Sequence, residues 1–226
     1  MKNLGTSFFI FACIFLSFFS TAFGQQESKH ALGFEGGAGL SFLRGLEYIE
    51  EYHNPTLCYA AGINYQYSFN KSFSFFSALD YERKGSVVNA TATDQSGEPV
   101  GEIVAHANYN YLVLPLLARF SFGKQLKVFM NAGPYVGYLM KVTTVTEQND
   151  IIPRTELDVT DESYKYDFGI SAGLGMKIPI KNKISFNVEV RNNLGLVNTR
   201  SAPIEEEGGA VKTNSTNLLL GVTFIL

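Results

Sequence analysis

Cysteine is almost absent from this chain, and so is any long run of apolar residues. Only Cys13 and Cys58 occur in 226 residues, and Cys13 lies in an apolar stretch near the N-terminus. A chain left with Cys58 alone has no internal disulfide to stabilise it. After residue 24 no apolar run approaches the ~20 residues that a membrane-spanning helix needs. These absences exclude a disulfide scaffold and a helical membrane protein, and they leave a soluble protein or a β-barrel.

Positive charge and histidine are scarce too. The chain has 18 Lys and Arg against 21 Asp and Glu, a formal charge of −3. An acidic chain without a basic stripe is not expected to bind nucleic acid. The three histidines are His30, His53 and His106. We interpret them as solvated loop residues, because His53 and His106 together are only two ligands and make a weak metal pattern. We therefore expect no catalytic residue, no cofactor and no metal.

The N-terminus has the three parts of a secretory signal peptide. Lys2 is followed by an apolar run at residues 8–19 and by the small-residue exit that ends at Gly24. About twelve apolar residues are too few for a membrane-spanning helix, and Cys13 lies inside the run rather than after it, which disfavours a lipoprotein. We predict that residues 1–24 are a signal peptide and that residues 25–226 form one domain. The loss of Lys2 would bring the formal charge to −4.

Eight segments alternate apolar and polar residues with a period of two, which predicts strands with one apolar face. The clearest, residues 164–178, is longer than the 5–6 residues of an ordinary strand and long enough to cross about 25 Å of hydrocarbon at a tilt. The segments are residues 32–42, 57–69, 73–84, 110–122, 126–140, 164–178, 184–193 and 216–226.

The connections between these segments alternate strictly between short and long. The long ones are residues 44–56, 85–106, 142–163 and 196–215. Outer-membrane barrels have short periplasmic turns and long external loops, and tyrosines near the long loops with phenylalanines near the short turns resemble their aromatic girdles. A soluble sandwich has no reason for this alternation. We predict an all-β fold, an eight-stranded antiparallel up-and-down transmembrane β-barrel of the bacterial outer membrane.

The polar faces of the segments mix glycine with charges of both signs. Inside a narrow barrel an unpaired charge costs several kcal/mol, so we predict that opposite charges pair and that the lumen is a plug rather than a pore. Glycines 169, 173 and 175 match no phosphate-binding loop and are explained by close packing. Pro115 and Pro134 predict local bulges, the alternative being that the strands break there. The predicted lumen charge network is Glu35, Asp80, Glu82, Lys84, Arg119, Lys165, Asp167, Lys177, Glu189 and Arg191.

Four motifs give the chain a resemblance to a known family. They are Glu-Arg-Lys-Gly at residues 82–85, Tyr-Leu-Val-Leu-Pro-Leu-Leu at 111–117, Asn-Ala-Gly-Pro-Tyr-Val-Gly-Tyr at 131–138 and Asp-Phe-Gly-Ile-Ser-Ala-Gly at 167–173. With them the chain resembles the PorT-like outer-membrane β-barrel family of Bacteroidetes-type bacteria. The resemblance implies an eight-stranded barrel and, in the founding branch, a part in protein secretion to the cell surface. Val113 stands where many relatives carry an acidic residue.

Three classes of function follow. The first is a small barrel that acts as a structural or partner-binding protein through its long external loops; the second is an accessory of a secretion system. The third is an outer-membrane lipid-modifying enzyme, but no histidine is followed two residues later by a serine as in the lipid deacylases, so we expect no enzyme. The expected partners are outer-membrane lipid and lipopolysaccharide, and a protein at the external loops. The acidic loop residues are most simply solvated, although they would also suit cation bridges to lipopolysaccharide; they are Asp94, Glu98, Glu147, Asp150, Asp158, Asp161, Glu162 and residues 205–207.

Overall fold

The computed structural model describes residues 29–93, 96–124, 126–147, 153–201 and 209–226. The predicted signal peptide, Asp94, Asp150 and the acidic run 205–207 lie outside these residues. The elements in chain order are β1 (His30–Arg44), the helix α1 (Glu47–Tyr52), β2 (His53–Asn54), β3 (Thr56–Ser68), β4 (Phe73–Thr93), β5 (Pro99–Phe122), β6 (Lys127–Thr146), β7 (Thr155–Asp158), a 3-10 turn (Thr160–Glu162), β8 (Tyr166–Lys181), β9 (Ile184–Gly195) and β10 (Lys212–Ile225). No helix within the described ranges is long and apolar enough to cross a membrane.

Eight long strands close into a ring. Their order is β4, β3, β1, β10, β9, β8, β6 and β5, and β5 pairs with β4 to complete the circle. All these pairs are antiparallel. The two short strands are additions, because β2 pairs with β4 and β7 with β6. The predicted eight-stranded antiparallel up-and-down barrel is confirmed.

The strand registers fix the width of the barrel. A row of paired residues starts at Arg83 on β4, runs around the ring and returns to β4 at Phe73, ten residues earlier in the chain. This offset is the shear of the barrel. It passes through Tyr59, Ala38, Leu218, Val190, Leu174, Met130 and Phe120. Eight strands with a shear of ten tilt by about 40° and enclose a radius of about 8 Å, given the usual strand spacing and rise. Such an interior holds side chains and little else.

The outer wall is apolar and the inner wall is polar, as the alternation predicts. On β8, Phe168 and Ile170 are about half exposed, whereas Asp167 and Ser171 are fully buried. Aromatic side chains form a belt around the wall at each end of the barrel. At the end with the long connections they pair as Tyr59 with Tyr81 and Tyr138 with Tyr166, and at the short-turn end as Phe69 with Phe73, Phe73 with Phe120 and Phe120 with Phe122. This distribution suits a wall that faces lipid.

The prediction of long loops is wrong for residues 85–106 and for part of 142–163. Strand β4 continues to Thr93 and β5 starts at Pro99, so residues 85–106 are mostly a β-hairpin. Strand β6 runs to Thr146 and pairs with β7. The physical reason lies in the residues beyond the wall, where valine, isoleucine and threonine keep a strong preference for strand. The upper parts of β4, β5 and β6, flanked by β2 and β7, form a sheet beyond the barrel that we call the external sheet.

The prediction of bulges at the two prolines is also wrong. Pairing of β5 is interrupted beside Pro115 towards β4, and pairing of β6 beside Pro134 towards β5. The register is the same on both sides of each gap, so no residue is inserted and neither strand breaks. A proline only lacks its N–H group, and two long strands tolerate one missing bond in each ladder. The shift in the β5–β6 register lies instead between Asn110 and Tyr111.

Candidate functional site

Arg191 is the centre of a charge cluster in the middle of the lumen. Its guanidinium donates to Glu189 from Nε (2.6 Å) and Nη2 (3.0 Å), and from Nη1 to Glu35 (2.6 Å) and Asp80 (3.2 Å). A second guanidinium, that of Arg119, donates from Nη2 at 3.0 Å to Glu189 Oε2, the oxygen that also accepts from Nη2 of Arg191. All five groups are almost completely shielded from solvent. The two guanidinium groups thus bind all three carboxylates of the cluster, as buried charges require, although Asp80 Oδ1 and Arg119 Nε have no hydrogen-bond partner among the described residues.

Lys84 forms a second cluster nearer the external end. Its Nζ donates to Asp167 at 3.1 Å, to the Tyr135 hydroxyl at 3.3 Å and to Thr213 at 3.4 Å, and lies 3.9 Å from Glu82. The ammonium also lies over the aromatic ring of Tyr135. Glu82 accepts further hydrogen bonds from Ser215, Asn217 and Asn193, a set of neutral donors on β9 and β10. A single lysine thus compensates two carboxylates with help from hydroxyl and amide groups.

Above the Lys84 cluster the lumen ends in an apolar layer. Leu46, directly before helix α1, and Ile49 within the helix lie over the opening, where they pack on buried aromatic and aliphatic residues of the strands. The layer is Leu43, Leu46, Ile49, Tyr109, Tyr111, Val113, Tyr135, Leu139, Val142 and Val211. Val113, in the position where an acidic residue was expected by resemblance, is fully buried in this layer. The external opening is therefore closed by apolar packing, and the middle of the lumen by ion pairs.

Two of the ten predicted lumen residues do not join either cluster. Lys165 is exposed, so its placement in the lumen network is wrong. The reason is that β8 starts only at Tyr166, so Lys165 lies at the rim, where its carbonyl accepts from the Leu139 amide. Lys177 is half-buried at the short-turn end and has no ion pair or hydrogen bond within the described ranges. The other eight residues meet in the two clusters.

Three lumen glycines leave room for these side chains. A Cβ on Gly169 would lie 2.5 Å from the Tyr135 ring, one on Gly175 2.5 Å from the Phe129 ring, and one on Gly173 2.6 Å from the Glu189 carboxylate. The glycines of β8 therefore pack against the largest groups of the lumen.

Sequence reasoning missed the uncharged partners of the network. Arg119 is sandwiched between the rings of Phe76 and Phe129, 3.8 and 4.0 Å from their centroids. Asn64 donates to Glu35 at 2.7 Å and Asn131 to Glu189 at 3.2 Å. Their positions on the polar face of each strand were a usable signal. The predicted network contains charged residues only, so it omits these partners.

The histidines do not form a metal site. His53 hydrogen-bonds Ser86 at 2.7 Å on the buried face of the external sheet, whereas His106 pairs with Glu147 at 3.0 Å on the opposite face. Within the described ranges no group of three or more His, Cys, Asp or Glu side chains is placed to hold a metal ion. Burial lowers the pKa of His53. Hydrogen bonds from Thr160 lower the pKa of the exposed Asp158.

The match to a protein-family model agrees with this architecture. A family model described as outer membrane protein beta-barrel domain matches residues 23–201. The solved structure of Neisserial surface protein A is 12% identical and covers 88% of this chain and 98% of its own, with a TM-score of 0.45. The protein Ail of Yersinia pestis is 11% identical over 88% of this chain and 100% of its own, with a TM-score of 0.39. OprG of Pseudomonas aeruginosa is 10% identical over 89% and 99%, with a TM-score of 0.41. A search of curated proteins finds no match.

A closed ring of eight tilted strands with an apolar wall and a charged, filled interior defines a small outer-membrane β-barrel protein. The chain belongs to the outer membrane protein beta-barrel domain family, whose model matches most of its length. Its location is the bacterial outer membrane.

Proposed function

We propose that this protein is a closed barrel that anchors the external sheet as a recognition surface, and that it acts as a structural or partner-binding protein rather than as an enzyme. The filled lumen supports the first part. Two charge clusters and the apolar layer below α1 occupy an interior only about 8 Å in radius. A pathway for solutes would need these groups to leave their partners.

The external sheet is the observation that carries the proposal. Strands β4 and β5 extend by about ten residues past Arg83 and Asn110, which lie next to the upper tyrosines. Ordering so many residues costs conformational entropy that a membrane anchor alone does not require. Strand pairing with β2 and β7 on both flanks holds the sheet in place. Its ordered edges and faces suit a partner protein.

The test is to shorten the hairpin. Val88 pairs with Ala105, so residues 89–104 are replaced by Asn-Gly, which forms a two-residue turn between antiparallel strands. The barrel should still fold and show its usual heat-dependent shift in gel mobility, because its ring is closed below the deletion. Proteins that co-purify with the unaltered chain from native outer membranes should be lost. A change of the periplasmic turn at Lys183 to glycine is the control, and recovery of the same partners by the shortened barrel would place recognition elsewhere.

A part in protein secretion is the second candidate, and one observation favours it. The four motifs that carry the PorT-like resemblance come together in space. Lys84 of the first contacts the Tyr111 ring of the second, the Tyr135 hydroxyl of the third and Asp167 of the fourth. The likeness therefore involves one cluster rather than scattered positions. The test is to delete the gene and to compare the proteins exposed on the cell surface with and without it. A part in secretion predicts that secreted proteins are lost from the surface of the deletion strain.

A further inference from the structure

The outer face of the external sheet carries an open cleft of about 530 Å³. Alternate residues of three adjoining strands contribute to it, since side chains at every second position point to the same face. Arg83 comes from β4 and pairs with Asn110 of β5. Asn108 lies two residues from Asn110 on the same face of β5, towards the external end. The lining residues are Arg83, His106, Asn108, Val145, Glu147 and Arg154.

The cleft begins where the lipid-facing wall ends. The Arg83 guanidinium lies 6.0 Å from the centre of the Tyr59 ring, and Tyr59 packs against Tyr81 with ring centroids 6.3 Å apart. Tyrosines in this position mark the boundary between hydrocarbon and headgroups in outer-membrane barrels. Arg83 therefore lies at the level of the lipid headgroups, on the outside of the barrel. Lys141, paired through Asn110 with Arg83, continues the basic row along the wall.

Two guanidinium groups of the cleft have no acidic partner among the described residues. In the part of the chain that the structure describes, neither Arg83 nor Arg154 forms an ion pair with a carboxylate. Arg83 donates from Nε to Asn108 at 3.0 Å, which orients the guanidinium and leaves its terminal nitrogens free for another acceptor. Among the described residues of the lining, the one carboxylate is that of Glu147, and His106 contacts it at 3.0 Å. The cleft is thus basic and open to the side, and the hydrogen bond to Asn108 fixes the orientation of the Arg83 guanidinium.

We propose that this cleft binds the phosphate group of an anionic lipid headgroup in the outer leaflet. Guanidinium groups hydrogen-bond phosphate oxygens in pairs and are the preferred partners of phosphate. The apolar wall below Arg83, with Tyr59 at its upper edge, receives the acyl chains of the same molecule. A free phosphate ion offers the same oxygen atoms to the guanidinium groups, but it has no acyl chains to contact this wall. The site lies on the same external sheet as the partner-protein surface proposed above, but none of its described lining residues belongs to the hairpin segment 89–104 that tests that proposal.

The test uses the chain extracted in detergent from native outer membranes and native mass spectrometry of its complexes. Three probes are compared: the bis-phosphorylated lipid A disaccharide, its dephosphorylated form with the same acyl chains, and inorganic phosphate. The unaltered protein should bind the phosphorylated lipid about tenfold more tightly than the dephosphorylated one, the scale of two solvent-exposed ion pairs. Inorganic phosphate should bind more weakly than the phosphorylated lipid.

Variants then assign the difference to the cleft. The double substitution R83Q/R154Q should remove most of the preference for the phosphorylated lipid, whereas R83K should keep part of it, because lysine retains the charge without the paired donors. The control K71Q removes an exposed charge from a short turn at the opposite end and should change nothing. Equal binding of the two lipids by the unaltered protein, or equal binding of inorganic phosphate and phosphorylated lipid, overturns the proposal. These comparisons need no variant, so they hold even if R83Q/R154Q fails to fold.

Discussion

Replacement of Arg191 by glutamine should be one of the most destabilising single changes in this barrel. Arg191 donates four hydrogen bonds to three carboxylates, those of Glu189, Glu35 and Asp80. Glutamine has a shorter side chain and no charge, so it cannot replace this set. The three carboxylates would then share Arg119 alone, and only Glu189 is within its reach.

The expected loss follows from burial. The side chains of Arg191, Glu35 and Asp80 are 2%, 6% and 6% exposed, so water cannot compensate the lost charge. Removal of one partner of a buried ion pair typically costs about 3–5 kcal/mol, and here Glu35 and Asp80 both lose their cation. We therefore expect R191Q to lower the free energy of unfolding by about 3–5 kcal/mol. The combined variant E35Q/D80N/R191Q should recover part of this loss, because it removes the unpaired charges as well.

The loss in R191Q and the recovery in E35Q/D80N/R191Q are both measured by reversible urea unfolding of the detergent-solubilised barrel. The heat-dependent gel shift reports the folded fraction at each urea concentration. The control R154Q removes an arginine that is exposed and outside the ring, and it should stay within about 0.5 kcal/mol. A loss below about 1 kcal/mol for R191Q, or a combined variant no more stable than R191Q, contradicts a charge cluster that depends on Arg191.

Three further predictions follow from the same structure. Leu174→Arg, on the outer wall about halfway down, should cost about 2–4 kcal/mol by urea unfolding, and Tyr166→Arg on the same face at the rim about 1 kcal/mol or less; equal costs would mean that the wall does not face lipid. Planar-bilayer recordings should show no steady conductance from the purified monomer, and large stable openings would contradict the filled lumen. The lowered pKa of His53 means that its contribution to stability is complete above the usual value of 6.5 and is lost as the pH falls through the folded value. The hydrogen-exchange protection of β2, after correction for the intrinsic pH dependence of amide exchange, should therefore decrease in acid, and His53→Gln should remove this decrease.

The strands of the wall were predictable because one physical rule governs them. A residue in the ring faces either lipid or lumen, so the period of two is strict where both faces are constrained. The predicted segment 57–69 differs from β3 by one residue at each end. Beyond the wall the rule weakens, since both faces of the external sheet meet polar surroundings. Residues 85–106 therefore read as a loop although they pair as strands.

The candidate site was predictable in its membership but not in its arrangement. Alternation alone assigns Glu189 and Arg191 to the polar face of one strand, but it does not reveal that the two side chains bind each other. Which carboxylate joins which cation depends on the shear, which is a property of the closed ring. The outer cleft was missed for the same reason. Arg83 and Arg154 are 71 positions apart in the chain, and only the pairing of four strands brings them to one surface.

The charge clusters also explain how the ring finds one register. Apolar residues of similar volume would often stabilise a buried site as well as an ion pair does, so stability alone does not account for Arg191 or Lys84. A lumen lined with leucine would make the two faces of each strand alike, and a slip by one residue would then bring no penalty. With the present residues such a slip moves Arg191 and Glu189 into lipid and leaves Val190 in the lumen, at a cost of several kcal/mol for each charge. The polar interior therefore acts mainly on the choice of register, and it leaves the wall and the external sheet as the surfaces where partners can be recognised.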